Sequence, residues 1–170
     1  MRRPYNILVL CTGNSARSII GEALFNTMGA VRFHAFSAGS HPSGKVNPFA
    51  IEQARALGYP VEGLRSKSWD EFALPDSPQM DFIITVCDNA AGEVCPVWPG
   101  HPITAHWGFA DPAAVEGSDD EKREVFARTL RQMRNRVQLF LNLPLETLDR
   151  LVIEKEMRKI GNAIDDRDPS

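Results

Sequence analysis

The sequence predicts an α/β fold, a four-stranded parallel sheet flanked by helices, and three observations carry that prediction. Short aliphatic runs bounded by turn residues, Tyr5 to Leu10, Phe33 to Ser37 and Asp81 to Val86, read as strands. Stretches with a helical apolar period alternate with them, as the crossovers of a parallel sheet require. No internal repeat and no linker interrupts the pattern. Residues 1–170 are therefore expected to form one domain, with a helical extension at about 145–161.

Taken in order, the first strand ends at Cys11, and from Arg17 the period becomes helical. Ile19, Ile20, Ala23, Leu24 and Met28 share one face, and Gly29 is the stop signal. The second strand gives way to a turn-rich stretch, Ala38 to Asn47. Asn47 and Pro48 then read as N-cap and first residue of a helix that reaches Leu57 and ends at Gly58. The third strand runs directly into Cys87. Beyond it, Asp88 to Gly92 would form a short helix closed by Pro96. Pro99, Gly100, Pro102 and Pro112 mark a loop-rich stretch in which Ile103 to His106 is the fourth strand. Ser118 with Glu121 matches a capping box, and Val125, Phe126, Leu130, Met133, Val137 and Phe140 continue a helical stripe towards Pro144. The last segment, Leu145 to Ile160, ends at Gly161. Its apolar stripe, Leu148, Leu151, Val152 and Ile160, would pack either on the domain or on another subunit. Trp69, Trp98 and Trp107 read as core or loop anchors.

Composition narrows the function. Of 170 residues, 43% are apolar and 24% charged, with 19 Lys and Arg against 22 Asp and Glu, a net charge of −3. The apolar share supports a real core, and the balanced charge excludes a disordered chain. A slightly acidic chain lacks the positive field that nonspecific nucleic-acid binding needs. No apolar run approaches the ~20 residues of a membrane span, and the N-terminal run is too short for a signal-peptide core. The expectation is a cytoplasmic protein. His34, His41, His101 and His106 are scattered and none pairs with a cysteine at zinc-finger spacing, so no metal is expected.

Three cysteines, Cys11, Cys87 and Cys95, lie at spacings of 76 and 8. An odd count in a chain of this length argues against a structural disulfide framework. The sequence CTGNSARS, Cys11 to Ser18, instead puts a cysteine at a strand end and an arginine at the start of a helix. In an open α/β sheet the ligand crevice lies beyond the strand ends. A loop entering a helix there presents N–H groups and a partial positive charge to an anion. Gly13 would supply a positive φ, Asn14 would brace the loop or take a left-handed geometry, and the small Thr12, Ser15 and Ala16 would leave the cradle open. Arg17 offers a planar fork for two oxygens. The same positive surroundings, with a hydroxyl from Thr12 or Ser18, are expected to lower the pKa of Cys11 below the ordinary ~8.5 of a thiol.

Cys-x5-Arg-Ser after a first strand resembles the oxyanion loop of the low-molecular-weight protein tyrosine phosphatase fold, and CTGNSARS resembles its version in the arsenate reductases of that fold. The resemblance extends to SAG at Ser37 to Gly39, VNP at Val46 to Pro48, TVCDNAAGEVCPVWPG from Thr85 and HWGFADPA from His106, about the first 140 residues. It implies a low-molecular-weight protein tyrosine phosphatase-like fold, Cys11 as nucleophile, Arg17 as oxyanion clamp with the loop Thr12 to Ser18, and Asp111, before Pro112, as general acid. Where phosphatases of this fold tend to place an aromatic residue after Asp-Pro, this chain has Ala113 and Ala114, which suits a small inorganic oxyanion.

The resemblance also implies a relay in which Cys87 attacks Cys11 and Cys95 then attacks Cys87. Were 87 to 95 continuous helix, their Cα atoms would stand ~12 Å apart, beyond the ~7 Å limit for a disulfide. Bridging them demands unwinding, to which Gly92 and Pro96 are suited. The implied electron donor is an external thiol, thioredoxin or glutaredoxin with glutathione, with no tightly bound cofactor. Two alternatives stand beside reduction of arsenate: a phosphotyrosine phosphatase working through a cysteinyl-phosphate, and an oxyanion or redox sensor without turnover. Ser66 to Ser68 are expected at the pocket rim.

Overall fold

The computed structural model describes residues 3–87, 98 and 100–162. Alternation within the first strand already sets the architecture, because successive side chains point to opposite faces. In β1, Tyr5–Cys11, Ile7 and Val9 enter one apolar cluster while Leu8 and Leu10 enter the other. β2 is Phe33–Gly39, β3 Phe82–Thr85 and β4 Ile103–His106. All pairings are parallel and the strand order is β2-β1-β3-β4.

Among the described residues there are four α-helices, of which the first three follow the predicted punctuation. α1 is Arg17–Met28 and closes at Gly29. α2 is Pro48–Ala56, with the Asn47 side chain accepting from the Phe49 amide. α3 is Asp119–Leu141, opened by the capping box of Ser118 and Glu121. α4 is Arg150–Gly161. Among the described residues all four contribute to one cluster, in which Phe25, Phe33, Phe82, Trp107 and Phe140 meet ring against ring. Burying each such side chain contributes ~1.5–3 kcal/mol. The opposite face of the sheet is covered by Trp69 and Phe72 from a short 3-10 turn, Met80 and Trp98.

The C-terminal segment departs from expectation. Leu145–Thr147 forms its own 3-10 turn, and the Asp149 side chain restarts the helix by accepting from Val152 N at 3.0 Å. With the start moved to Arg150, the inward positions become Ile153, Met157 and Ile160, while Leu151 is 77% exposed. The helix packs on the chain itself, its Met157 carbonyl accepting from Trp107 Nε1 at 2.9 Å. The predicted short helix at 88–92 and Cys95 fall outside the described residues.

The register gathers the chemistry. Cys11 pairs with Gly39, Leu10 with Thr85, and Thr85 with His106, so all four strands finish on one edge. The chain leaves β1 for β2 on one side and returns to β3 on the other, which makes the β1–β3 boundary a topological switch point. Cys11 ends β1 and Cys87 lies just past β3 at that boundary.

Candidate active site

The loop from Cys11 to Arg17 is pulled outward by its carbonyls. Those of Thr12, Gly13 and Ser15 accept from the backbone amides of His41, Ser43 and Asn47 at 2.9 to 3.0 Å. Ser66 Oγ adds a second bond to the Gly13 carbonyl at 2.9 Å. Gly39 lies so close beneath the loop that a Cβ there would stand 2.4 Å from Thr12 O and 2.9 Å from both Asn14 N and Cys11 O. That approach gives the SAG segment its purpose.

Asn14, not Gly13, takes the left-handed conformation, with φ 45. The expected positive φ at Gly13 is absent, because the sharp turn falls one residue later, where a side chain is needed to hold it. Asn14 is fully buried; its Nδ2 donates to Ser18 Oγ at 2.8 Å and its Oδ1 accepts from Lys67 N at 2.9 Å. An asparagine tolerates this geometry because its short amide bonds locally.

α1 starts without a side-chain cap and with no acidic residue in its first turn. Its amide end thus offers positive charge to an anion. Arg17, the first helical residue, donates through Nη1 to Phe109 O at 2.8 Å, and its Nη2 lies 3.7 Å from Asp111 Oδ2. Arg17 Nε is buried and has no hydrogen-bond partner among the described residues. A buried guanidinium N–H left unpaired is costly, and an oxyanion on the amide end of α1 fits it. Asp111 caps the Pro112–Ala114 turn through Oδ1 to Ala113 N at 3.0 Å, keeping Oδ2 on the Arg17 side.

Cys11 and Cys87 are free, buried thiols, 5% and 2% exposed, and Cys87 stands close enough to perturb Cys11. Cys87 Sγ also accepts from Thr12 N at 3.3 Å and lies 3.5 Å from the Thr12 hydroxyl. The pKa of Cys11 moves opposite to expectation. The neighbouring Cys87 thiol raises it most and burial adds to that, while the Arg17 charge pulls it down by less. The motif displays Arg17 six residues on, but the opposing thiol arrives from 76 positions away.

A polar network behind the loop was not singled out by the sequence. Ser37 Oγ donates to Glu22 Oε1 at 2.6 Å, and the Tyr59 hydroxyl donates to Glu22 Oε2 at 2.8 Å. Lys67 Nζ reaches Arg65 O at 3.0 Å, with Asn14 Oδ1 and Ser37 Oγ each at 3.5 Å. Burial lowers the Lys67 pKa, against the pull of Glu22. Tyr59 is pushed up to about 12 by burial first and by Glu22 second. The one available signal was Glu22 itself, a carboxylate amid the apolar IIGEALF of α1. Among the described residues no group of His, Cys, Asp and Glu could hold a metal ion, and no helix is long and apolar enough to cross a membrane.

Comparison with known proteins agrees with this geometry. Residues 6–154 match the sequence profile described as low molecular weight phosphotyrosine protein phosphatase. An arsenate reductase of Halalkalibacterium halodurans is 36% identical over 134 residues, 79% of this chain and 93% of that protein. The crystal structure of arsenate reductase from Archaeoglobus fulgidus superposes with a TM-score of 0.57 at 29% identity, covering 78% of this chain and 98% of that one. A low molecular weight protein tyrosine phosphatase from T. tengcongensis shares the fold, with a TM-score of 0.60 at 19% identity over 77% of this chain and 93% of that one. With its cysteine loop, parallel sheet and matched profile, the chain belongs to the low molecular weight phosphotyrosine protein phosphatase family.

Proposed function

We propose that the chain is a thiol-dependent arsenate reductase, converting arsenate to arsenite through the Cys11 nucleophile and an intramolecular cysteine relay. The observation that carries this reading is the pair of free, buried thiols, Cys11 and Cys87, at the switch point of the sheet, Cys87 being the largest influence on Cys11. Hydrolysis of a phosphate ester needs one sulfur. Reduction needs two, because the electron pair delivered to arsenic leaves a disulfide behind. The relatives named arsenate reductase, matched over most of their length, support the choice of substrate.

In this reading arsenate rests on the amide end of α1, held by Arg17 and the N–H groups of the loop Thr12 to Ser18. Cys11 passes its proton to an oxygen of the bound arsenate and attacks arsenic as the thiolate; a sulfur–arsenic bond forms, and one oxygen leaves as water after taking a proton from Asp111. Cys87 gives up its proton and attacks the Cys11 sulfur. The disulfide forms as the sulfur–arsenic bond breaks, its electron pair stays on arsenic, and arsenite departs. Two thiols and arsenate thereby yield a disulfide, arsenite and water. Cys95 then attacks Cys87, releasing Cys11, and the Cys87–Cys95 disulfide passes its oxidation to an external thiol, thioredoxin or glutaredoxin with glutathione. The turn after Asp111 carries exposed Ala113 and Ala114 in place of an aromatic residue, which suits a small inorganic oxyanion.

The test compares wild type with Cys87→Ser on arsenate, with each reductant supplied separately, and on p-nitrophenyl phosphate. Loss of arsenite formation with ester cleavage retained is the expected result. Unchanged arsenite formation in Cys87→Ser would remove the relay, and ester cleavage alone in wild type would make the protein a phosphatase.

A further inference from the structure

Arg136 on α3 is 1% exposed and has no part in the chemistry described above. Burying a guanidinium costs several kcal/mol unless its surroundings compensate, so its contacts identify its use. Nη1 donates to Gly108 O at 3.2 Å, and the guanidinium carbon lies 4.5 Å from the centroid of the Phe109 ring. Both contacts fall on the segment that carries Asp111 from the end of β4 to the cradle. The carbonyl of that same Phe109 accepts from Arg17 Nη1 at 2.8 Å. Two arginines from different helices thus grip one residue, one on its ring and preceding carbonyl, the other on its own carbonyl.

The consequence lies at Arg17. With Nη1 occupied by Phe109 O, the rotation of the guanidinium is set, and its unpartnered Nε and its Nη2 edge are fixed relative to the amide end of α1. If the Gly108–Phe109 segment shifted, Phe109 O would carry Arg17 with it. A planar two-point clamp tolerates little misplacement, since positioning errors near 1 Å cost about a hundredfold in rate. Trp107, whose amide donates to Thr85 O at 2.7 Å and whose indole donates to Met157 O, pins the start of the segment; Phe109 is held by its place in the apolar cluster, by one bond from its amide to Val86 O and, at the ring and the preceding carbonyl, by Arg136.

We propose that Arg136 is a positioning residue for oxyanion binding, acting through Gly108 and Phe109 to set the orientation of Arg17. The proposal rests on reading Arg17 as the oxyanion clamp, and the test separates the two. Binding of inorganic phosphate is measured by titration for wild type, Arg17→Lys, Arg136→Met and the double variant, following also the Arg17 Nε–H resonance. Arg136→Met is expected to weaken phosphate binding about tenfold and to move the Arg17 Nε–H resonance in the free protein. In the Arg17→Lys background it should add little further loss, because the two residues act through one contact. The KM for arsenate should rise more than kcat falls. If Arg136→Met does not fold, Arg136→Lys carries the same cycle, keeping the charge but lacking the planar fork. Additive losses, or unchanged phosphate binding in a folded Arg136 variant, would overturn the proposal while leaving Arg17 as the clamp. Undiminished phosphate binding in Arg17→Lys would overturn both.

Discussion

The Thr12 amide donates to the sulfur of Cys87 at 3.3 Å, so the residue immediately after Cys11 holds the second thiol. The same Cys87 is the neighbour that perturbs the Cys11 thiol most. One backbone N–H therefore keeps both sulfurs together at the switch point of the sheet, although the strands that carry them lie far apart in sequence.

That arrangement sets how Cys11 reacts. Cys87 is the largest cause of the raised Cys11 pKa, so removing it should let Cys11 ionise at lower pH. Iodoacetamide labelling of Cys11, read by mass spectrometry across pH, should begin only on the alkaline side of an ordinary thiol in wild type. In Cys87→Ala the profile should move towards neutral pH. Superimposable profiles would mean the thiol pair does not control the nucleophile.

Asn14 combines strain with bonding. In Asn14→Ala both the hydrogen bonds of the buried amide and the tolerance of φ 45 are lost, a cost of ~2–4 kcal/mol summed from lost bonding and left-handed strain. Asn14→Gly loses the bonding but not the conformation. Urea unfolding should find it more stable than Asn14→Ala by ~1 kcal/mol, and the reverse order would contradict the left-handed assignment.

At Gly39 the neighbours are backbone atoms, which cannot swing aside as a flexible side chain would. Gly39→Ala should push the loop out of shape, destabilising the protein by ~1–3 kcal/mol and weakening inorganic phosphate binding. Wild-type phosphate affinity in this variant would show that the loop does not depend on the close approach.

Tyr59 should report on the network behind the loop. A difference titration of phenolate absorbance, wild type minus Tyr59→Phe, is expected to place Tyr59 near 12. The raised value means the folded protein holds the phenolic proton more tightly. This contribution to stability is complete below the ordinary value of 10 and is lost as pH rises from there through about 12. Glu22→Gln should bring Tyr59 only part of the way back, because burial, the first cause, remains. A titration at the ordinary value in wild type would rule out the buried contact.

Much of this site was legible because its parts are local. The four strands within two residues of their expected ends, the Asn47 and Ser118 caps and the Asp111–Pro112 turn depend on neighbours in sequence, and the caps and the turn stand where the residues indicated. What escaped depends on contacts made across the fold. The rise that Cys87 imposes on the Cys11 pKa, the Glu22–Tyr59–Lys67 network and the grip of Arg136 on Phe109 join residues from separate elements. The stripe of α4 escaped for a different reason: the break at Asp149 separates Leu148 from the helix, so of the expected positions Ile160 turns inward while Leu151 and Val152 stay exposed.

The central claim is that Cys11 and Cys87 together deliver two electrons to arsenic. The most direct measurement is a single turnover of the fully reduced protein with arsenate and no external reductant, counting arsenite released and free thiols lost, and mapping the disulfide. One arsenite per chain, two thiols consumed and no arsenite from Cys87→Ser is the predicted result. Arsenite from Cys87→Ser at the wild-type amount, or none from wild type while p-nitrophenyl phosphate is still cleaved, would contradict it.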